Sequence, residues 1–296
     1  MLAAITKGVP WNLMFDPNEN PLAAEAPGDL PGSAPTVPLE PAVIVPAQPS
    51  FPAWSARDVL AITVFAFLCV FLFMVLAVFA SGVLAGDRNV SMTELARNAR
   101  FIRAVLVGQA AAYPVVWACM FLVVRSRTRE PFGHAIQWNW PGLYAPAFFI
   151  GGIVLALAID VMSRYLPIPK SLPINDLFTD RTNAYLIAAF GVALAPALEE
   201  LFFRGLLYPV LRRATGWFIA VLLTGLAFAA LHGAQLGYAW AAMLPIFVVG
   251  VVFTVVRQWR NSVAATFLMH CGYNFSLFAL LWLASDHYRH LEKVAN

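Results

Sequence analysis

The fold of this chain is decided by residues 185–211, which read YLIAAFGVALAPALEELFFRGLLYPVL. The stretch is long and apolar enough for a helix that crosses a bilayer, which needs roughly 20 apolar residues. Inside it lie two adjacent glutamates, Glu199 and Glu200, and one arginine, Arg204. An ionisable side chain at bilayer depth costs a few kcal/mol, and it usually faces a protein interior or a watery cavity and serves a function. The stretch therefore predicts a membrane helix with a buried polar site.

The composition of the whole chain agrees with a membrane protein. Hydrophobic residues make up 60% of the 296 residues and charged residues 12%, whereas soluble domains average about 25% charged residues. The mean hydropathy is +0.72. A formal net charge of +3 gives no sign of a nucleic-acid partner, and we expect none. The three cysteines lie in apolar runs, which favours free buried thiols over disulfides: Cys69, Cys119 and Cys271.

We expect four regions along the chain. Residues 1–56 form a proline-rich, disordered cytoplasmic tail, because eleven of the 21 prolines lie among the first 52 residues and such a segment cannot bury enough apolar surface to fold. Residues 57–140 hold the first membrane helices, and the arginines and apolar residues between positions 87 and 103 predict an amphipathic connector on the membrane surface. Residues 141–285 form the membrane domain with the polar groups. Residues 286–296 form a polar tail.

The apolar runs predict an all-α, polytopic bundle of about seven membrane spans, with six and eight as alternatives, that encloses a polar cavity. The expected spans are residues 59–84, 104–124, 143–162, 185–211, two within 217–256 that turn near 233–237, and 263–284. Lysines and arginines divide evenly between the two sides, nine and nine, and the clusters beside helix ends favour a cytoplasmic amino terminus. We expect an integral multi-pass protein, in the inner membrane if the source is prokaryotic.

The polar groups of three predicted helices lie at one depth in the membrane. At 1.5 Å rise per residue, Glu199 is about 20 Å from the helix end at Arg212, and His232 is about 22 Å from the start of its own helix. His270 and Asn274 are about 15 and 21 Å from the helix start on the same side. Side chains that share a depth can meet in one site.

The spacing of these residues within each helix indicates which of them pair. Glu200 and Arg204 are four residues apart in the favourable acid-to-base order. Glu199 is turned about 100° away on a helix, so its carboxylate remains free to act as a base. The same interval of four recurs in two later helices: Phe228 with His232, and His270 with Asn274. The aromatic ring at position 228 can form the floor of a pocket beneath the imidazole.

Each motif alone has a simpler explanation. A lone histidine in a membrane helix more often makes a hydrogen bond between helices. A Glu-Glu-x-x-x-Arg set can be a structural ion pair at a kink after Pro196. Three such motifs at one depth favour a functional site.

Three segments resemble the signatures of the CAAX-protease and bacteriocin-processing family (CPBP, or Abi) of intramembrane endopeptidases. LEELFFRG at 198–205, FAALHG at 228–233 and HCGYN at 270–274 match EExxxR, FxxxH and HxxxN/D in order and without departure. The resemblance covers roughly residues 140–284. It implies an all-helical membrane bundle around a polar cavity.

The resemblance also implies roles for the motif residues. Glu199 would be the general base that activates water, helped by His232, while His270 and Asn274 would donate hydrogen bonds to the developing oxyanion. Glu200 and Arg204 would hold the site together. The chemistry suits the residue types, because a positioned carboxylate can take the proton of water and neutral donors stabilise a tetrahedral intermediate strongly where water is scarce.

A metal mechanism is the alternative. Glu199, His232 and His270 can in principle bind zinc as a three-ligand catalytic site, and the family has been described both as metalloprotease-like and as glutamate-dependent. No HExxH helix is present, and Asn274 serves better as an oxyanion donor than as a zinc ligand. We therefore expect the glutamate mechanism, without a cofactor.

Three functions fit a polar site in a membrane bundle. The first is an intramembrane endopeptidase for a membrane-associated protein or peptide, with a carboxyl-terminal or lipid-modified segment as a candidate substrate. The second is a non-catalytic scaffold or immunity protein of the same fold, which the intact Glu199, His232 and His270 argue against. The third, a proton-coupled transporter, predicts inverted repeats and broken helices in both halves, and the sequence shows neither.

Overall fold

Eight helices carry the fold in the computed structural model, which describes residues 51–83, 91, 94–95 and 97–291. Nearly all of the predicted amino-terminal tail, most of the connector before residue 97 and residues 292–296 of the polar tail lie outside the described residues. The described residues all belong to one unit, residues 48–296. They contain no β-strand.

The helices are α1 Ala56–Ala80, α2 Ala99–Arg127, the short α3 Phe132–Ala135, α4 Ala145–Ser163, α5 Arg181–Thr215, α6 Trp217–Leu231, α7 Trp240–Arg260 and α8 Val263–Ala284. Single 3-10 turns at Gly142–Tyr144 and Pro173–Leu177 precede α4 and α5.

Six of the described helices are long and apolar enough to cross a membrane: α1, α2, α4 with the turn before it, α5, α7 and α8. The predicted all-α polytopic bundle is therefore confirmed. The remaining predicted span is α6, which has only 15 residues and is about 22 Å long at 1.5 Å per residue. It ends one residue before His232, and the turn predicted near residues 233–237 spans residues 232–239.

The second membrane helix begins earlier than its apolar run predicts. Residues 99–103, expected to belong to the amphipathic connector, form the first turn of α2. The arginines of this region find carboxylates in the loop before α5. Arg97 lies 3.0 Å from Asp176, and Arg103 lies 3.1 Å from Asp180. These arginines thus bind other parts of the protein. In the sequence they give the same amphipathic pattern as arginines that lie at a lipid surface.

Helix pairs in the carboxyl-terminal half approach closely through glycines. A methyl group at Gly152 of α4 would overlap the backbone of α8, and one at Gly272 of α8 would overlap the backbone of α4. Between α6 and α7, a Cβ at Gly250 would lie 3.0 Å from the Cα of Gly225. Small residues allow such close contact in membranes, where dispersion forces between helices drive association. The three polar motifs are thereby brought within reach of one another.

The helix α5 changes its winding twice. π-Helical turns at Phe190–Leu194 and Leu201–Leu207 lie on either side of an α-helical stretch, Ala195–Glu200. Glu199 and Glu200 end this stretch. π-Helical turns inside α-helices occur frequently at functional sites, because the extra residue turns side chains to new directions.

Candidate active site

Glu200 and Arg204 form the buried ion pair that their spacing predicts. Arg204 Nη1 donates to Glu200 Oε1 at 2.8 Å, and both side chains are completely buried. Arg204 Nη2 donates to the backbone oxygen of Gly250 in α7 at 2.9 Å. The pair therefore fastens α5 to α7. Removing either partner would leave the other charge buried alone, which is strongly destabilising.

Aromatic rings enclose the guanidinium of Arg204. Its Cζ lies 4.7 Å from the ring centre of Phe228, 5.3 Å from that of Phe253 and 5.8 Å from that of Phe203. A cation over aromatic faces gains about 2 kcal/mol when it is desolvated. These contacts help to keep the charge inside the bundle.

His270 of α8 stands between the two glutamates. Its Nδ1 lies 2.9 Å from Glu200 Oε1, and its Nε2 lies 3.8 Å from Glu199 Oε2. An ionised carboxylate only accepts hydrogen bonds, so Nδ1 carries a hydrogen and Nε2 faces Glu199. The side chain of Glu199 is 16% exposed, against 0% for Glu200. Of these two glutamates, Glu199 is the one that has both a neighbouring imidazole and access from outside the core.

His232 joins this group through Phe228. Its ring centre lies 4.8 Å from that of Phe228, and the Phe228 ring meets His270 edge to face at 5.7 Å. His232 Nδ1 lies 2.9 Å from the backbone oxygen of Phe228, to which it donates. This bond leaves Nε2 of His232 as the hydrogen-bond acceptor. The described residues show this bond to the backbone of Phe228 and no hydrogen bond between His232 and Glu199.

Asn274, the predicted oxyanion donor, is bound to the first π-helical turn. Its Nδ2 donates to the backbone oxygen of Gly191 at 2.6 Å. An amide nitrogen has two hydrogens, so one remains for a further acceptor. The structure thus gives Asn274 a contact that holds α8 to α5, which its spacing from His270 did not indicate.

The three candidate zinc ligands do not form a metal site as they are placed. In the part of the chain that the structure describes, no group of three His, Cys, Asp or Glu side chains is arranged to hold a metal ion. Nδ1 of His270 is bonded to Glu200 and Nδ1 of His232 to a backbone oxygen, which leaves Nε2 of each ring. Histidines that bind zinc commonly donate their other nitrogen in this way, so these bonds do not by themselves exclude a metal. Glu199, His232 and His270 are thus not gathered into a three-ligand group among the described residues, although their atom types suit zinc.

Sequence reasoning missed several residues at the site. Phe253 of α7 lies 5.0 Å from the His270 ring, but nothing in an apolar run marks one phenylalanine among 23. Arg257, expected at the membrane surface, is only 2% exposed. Tyr113 of α2 is buried, and its ring centre lies 5.2 Å from that of Phe190 in the first π-helical turn of α5. A tyrosine in a membrane helix gives no signal of such a position.

Part of the chain matches a known protein family. Residues 181–276 match the family model described as Type II CAAX prenyl endopeptidase Rce1-like. The matched segment runs from α5 into α8 and contains all three motifs. No curated protein and no solved structure matched the chain. The match confirms the resemblance that the motifs carry: this segment is similar to the Rce1-like family of CAAX-type endopeptidases.

Proposed function

We propose that the protein is an intramembrane endopeptidase that hydrolyses a peptide bond with a water molecule activated by Glu199. The observation that supports this most is the unequal environment of the two adjacent glutamates. Glu200 is fully buried and bound to Arg204 and His270, whereas Glu199 is partly accessible and faces Nε2 of His270. One carboxylate has a structural task, and its neighbour is free to react.

In the proposed reaction, Glu199 takes a proton from water, and the hydroxide attacks the carbonyl carbon of the peptide bond. The tetrahedral intermediate carries its negative charge on the former carbonyl oxygen. Glu199 then returns the proton to the leaving amine as the carbon–nitrogen bond breaks. A positioned acid–base group of this kind contributes roughly 100- to 10,000-fold to the rate.

The charges of the buried polar side chains favour this order of reaction steps. In the proposed reaction His270 carries a hydrogen on each ring nitrogen, so that the charges of Glu199, Glu200, Arg204 and His270 sum to zero. When Glu199 has taken the proton, the oxyanion replaces its negative charge, and Nε2–H of His270 can donate to it. The second amide hydrogen of Asn274 would serve the same oxygen. Preorganised donors are most effective where water is excluded.

His232 would orient the water. Because its Nδ1–H is donated to Phe228, its Nε2 offers an acceptor for the hydrogen that Glu199 does not take. The ring of Phe228, which touches both imidazoles, fixes their separation.

The substrate would be a protein or peptide at the membrane, with the scissile bond near a carboxyl-terminal or lipid-modified segment. Six apolar helices and the family match indicate an integral multi-pass membrane protein. For a prokaryotic source we place it in the inner membrane.

A trapping experiment tests the proposal. The Glu199→Gln variant, expressed in its own host, should retain a bound peptide that wild-type protein releases as two fragments. Incubating the trapped peptide with purified wild-type protein should give two products at one cleavage site. Cleavage at an undiminished rate by purified Glu199→Gln would refute the mechanism, and an empty variant with an inactive wild type would favour a non-catalytic scaffold.

A further inference from the structure

Both π-helical turns of α5 leave a backbone oxygen without a partner in the helix, and a proline is the cause each time. In the first turn, Ala195 N–H donates to Phe190 O, five residues back. The next donor in this spacing would be Pro196, which has no N–H. The oxygen of Gly191 is therefore left over, and Asn274 donates to it.

The second turn repeats this arrangement. Tyr208 N–H donates to Phe203 O, again five residues back. The next donor would be Pro209, which lacks an N–H. The oxygen left over belongs to Arg204, and Nε of Arg257 donates to it from α7 at 3.1 Å. Since a buried carbonyl without a hydrogen bond is costly, the second turn depends on this arginine as the first depends on Asn274.

The hydrogen bonds of Arg257 among the described residues all go to neutral oxygens. Besides the Arg204 oxygen, its guanidinium donates to Asn261 Oδ1 and Gln137 Oε1. It forms no ion pair among the described residues, and it is almost completely buried. A planar guanidinium can make several bonds in fixed directions at once. Such a group is suited to hold a backbone segment in place.

We propose that Arg257 is a positioning residue of the active site. It holds the backbone of Arg204, whose guanidinium in turn holds Glu200, and Glu200 sets the orientation of His270 toward Glu199. The inference rests on the proposed function, because it assigns Arg257 a role in the reaction of that site. It concerns a residue outside all three sequence motifs.

The test compares three variants in a cleavage assay. Arg257→Met fills the buried space but removes every donor, and Arg257→Lys keeps one donor group and the charge. Arg260→Met is the matched control, because Arg260 lies one turn further along α7, is exposed and stacks on Phe148 and Trp259.

We expect Arg257→Met to lower kcat about 10- to 100-fold with KM within about twofold of wild type, since a small misplacement of reacting groups can cost about 100-fold in rate. Arg257→Lys should recover part of the lost kcat, and Arg260→Met should behave as wild type. An unchanged kcat in Arg257→Met, or an equal loss in Arg260→Met, would overturn the proposal.

Hydrogen–deuterium exchange gives a readout without activity. Amides of residues 201–208 should exchange faster in Arg257→Met than in wild type or Arg260→Met, while those of α1 and α2 should not change. Uniformly faster exchange, or no change in this segment, would refute the positioning role. If wild-type protein cleaves nothing, the proposed function fails, and the exchange result still decides whether Arg257 holds the turn.

Discussion

Glu199 and Glu200 are neighbours of the same chemical type with opposite surroundings. Glu200 has a guanidinium and an imidazole as partners and no contact with solvent. Glu199 has one imidazole at 3.8 Å and a partly open side. Replacing either carboxylate by its amide changes charge and donor pattern but hardly changes size. The two substitutions therefore separate a catalytic role from a structural one.

Glu199→Gln should abolish cleavage, with a loss in kcat of roughly 100- to 10,000-fold, and it should leave thermal stability nearly unchanged. Glu200→Gln should destabilise the fold by about 3–5 kcal/mol, because Arg204 then remains as an uncompensated buried charge. Rate measurements and melting curves in detergent would check both. The assignment of roles is reversed if Glu200→Gln keeps its melting temperature and Glu199→Gln does not.

Whether activity requires a metal at Glu199, His232 and His270 can be tested directly. Because no three-ligand group is present among the described residues, we expect activity to survive prolonged chelation. Elemental analysis of active, purified protein should then show zinc well below one equivalent. Stoichiometric zinc, with activity lost on chelation and regained on zinc addition, would establish the metal mechanism instead.

At the scale of elements, the helix α5, which carries both glutamates, is held by donors from distant parts of the chain. Besides Asn274 and Arg257, the indole Nε1 of Trp54 donates to the backbone oxygen of Leu206 at 3.0 Å. Trp54 precedes α1, lies outside the family match and is 1% exposed. Arg213 of α5 binds the same segment through the backbone oxygens of Pro52 and Trp54. The start of α1 is thus fastened to the end of α5.

Trp54→Phe should destabilise the protein by about 1–3 kcal/mol, because it leaves the Leu206 oxygen without its donor while most of the apolar packing remains. Trp117→Phe is the control, since Nε1 of Trp117 has no hydrogen-bond partner among the described residues. Chemical or thermal unfolding of both variants would measure the difference. Equal losses in the two variants would show that ring size, and not the hydrogen bond, matters at position 54.

The contact between α4 and α8 predicts opposite outcomes for two adjacent glycines. Gly152→Ala should disrupt the fold, because its methyl group would overlap the backbone of Met269 and Tyr273. Gly151→Ala should be tolerated, since a Cβ there would meet only the end of the flexible Met269 side chain at 3.9 Å. The yield of folded protein on gel filtration would distinguish them. A stable Gly152→Ala variant would mean that the two helices lie further apart.

At the scale of the whole molecule, helix ends fall into two groups on opposite sides of the bundle. The pair of Arg127 and Asp58 at 2.6 Å joins the end of α2 to the start of α1. On the other side, Ile174 N–H donates to the backbone oxygen of Gln235 at 2.9 Å. This bond places the turn after α6 beside the loop before α5. The short α6 therefore carries the chain to that side, although it has only 15 residues.

Single cysteines introduced into a cysteine-free background should report this arrangement. Lys170→Cys and Gln235→Cys should react with a membrane-impermeant maleimide from one side, and Thr215→Cys and Arg260→Cys only from the other. Labelling in sealed vesicles of known orientation would measure it. Gln235 reacting from the same side as Thr215 would contradict the observed path of α6 and α7.

Much of the architecture was predictable because membrane helices leave a strong local signal. Apolar length alone located most spans within a few residues, and the ion pair of Glu200 with Arg204 followed from a spacing of four. The start of α2 was placed wrongly, because arginines that bind Asp176 and Asp180 have the same pattern as arginines at a lipid surface. The residues that pair with a charged side chain cannot be identified from the sequence next to it.

The sequence by itself determined the all-helical membrane bundle, the three motifs and their common depth, because hydrophobic length and helical period depend only on residues near one another in the chain. Only the tertiary structure decided that His270 stands between the two glutamates. It also decided that Asn274 and Arg257 donate to the backbone oxygens that have no helical partner because of the prolines. Arg257 is buried by these contacts, although an interfacial position was expected for it. Those contacts join residues 53 to 83 positions apart. They depend on how closely the helices pack, and the distance between two helices cannot be read from the sequence pattern of either one.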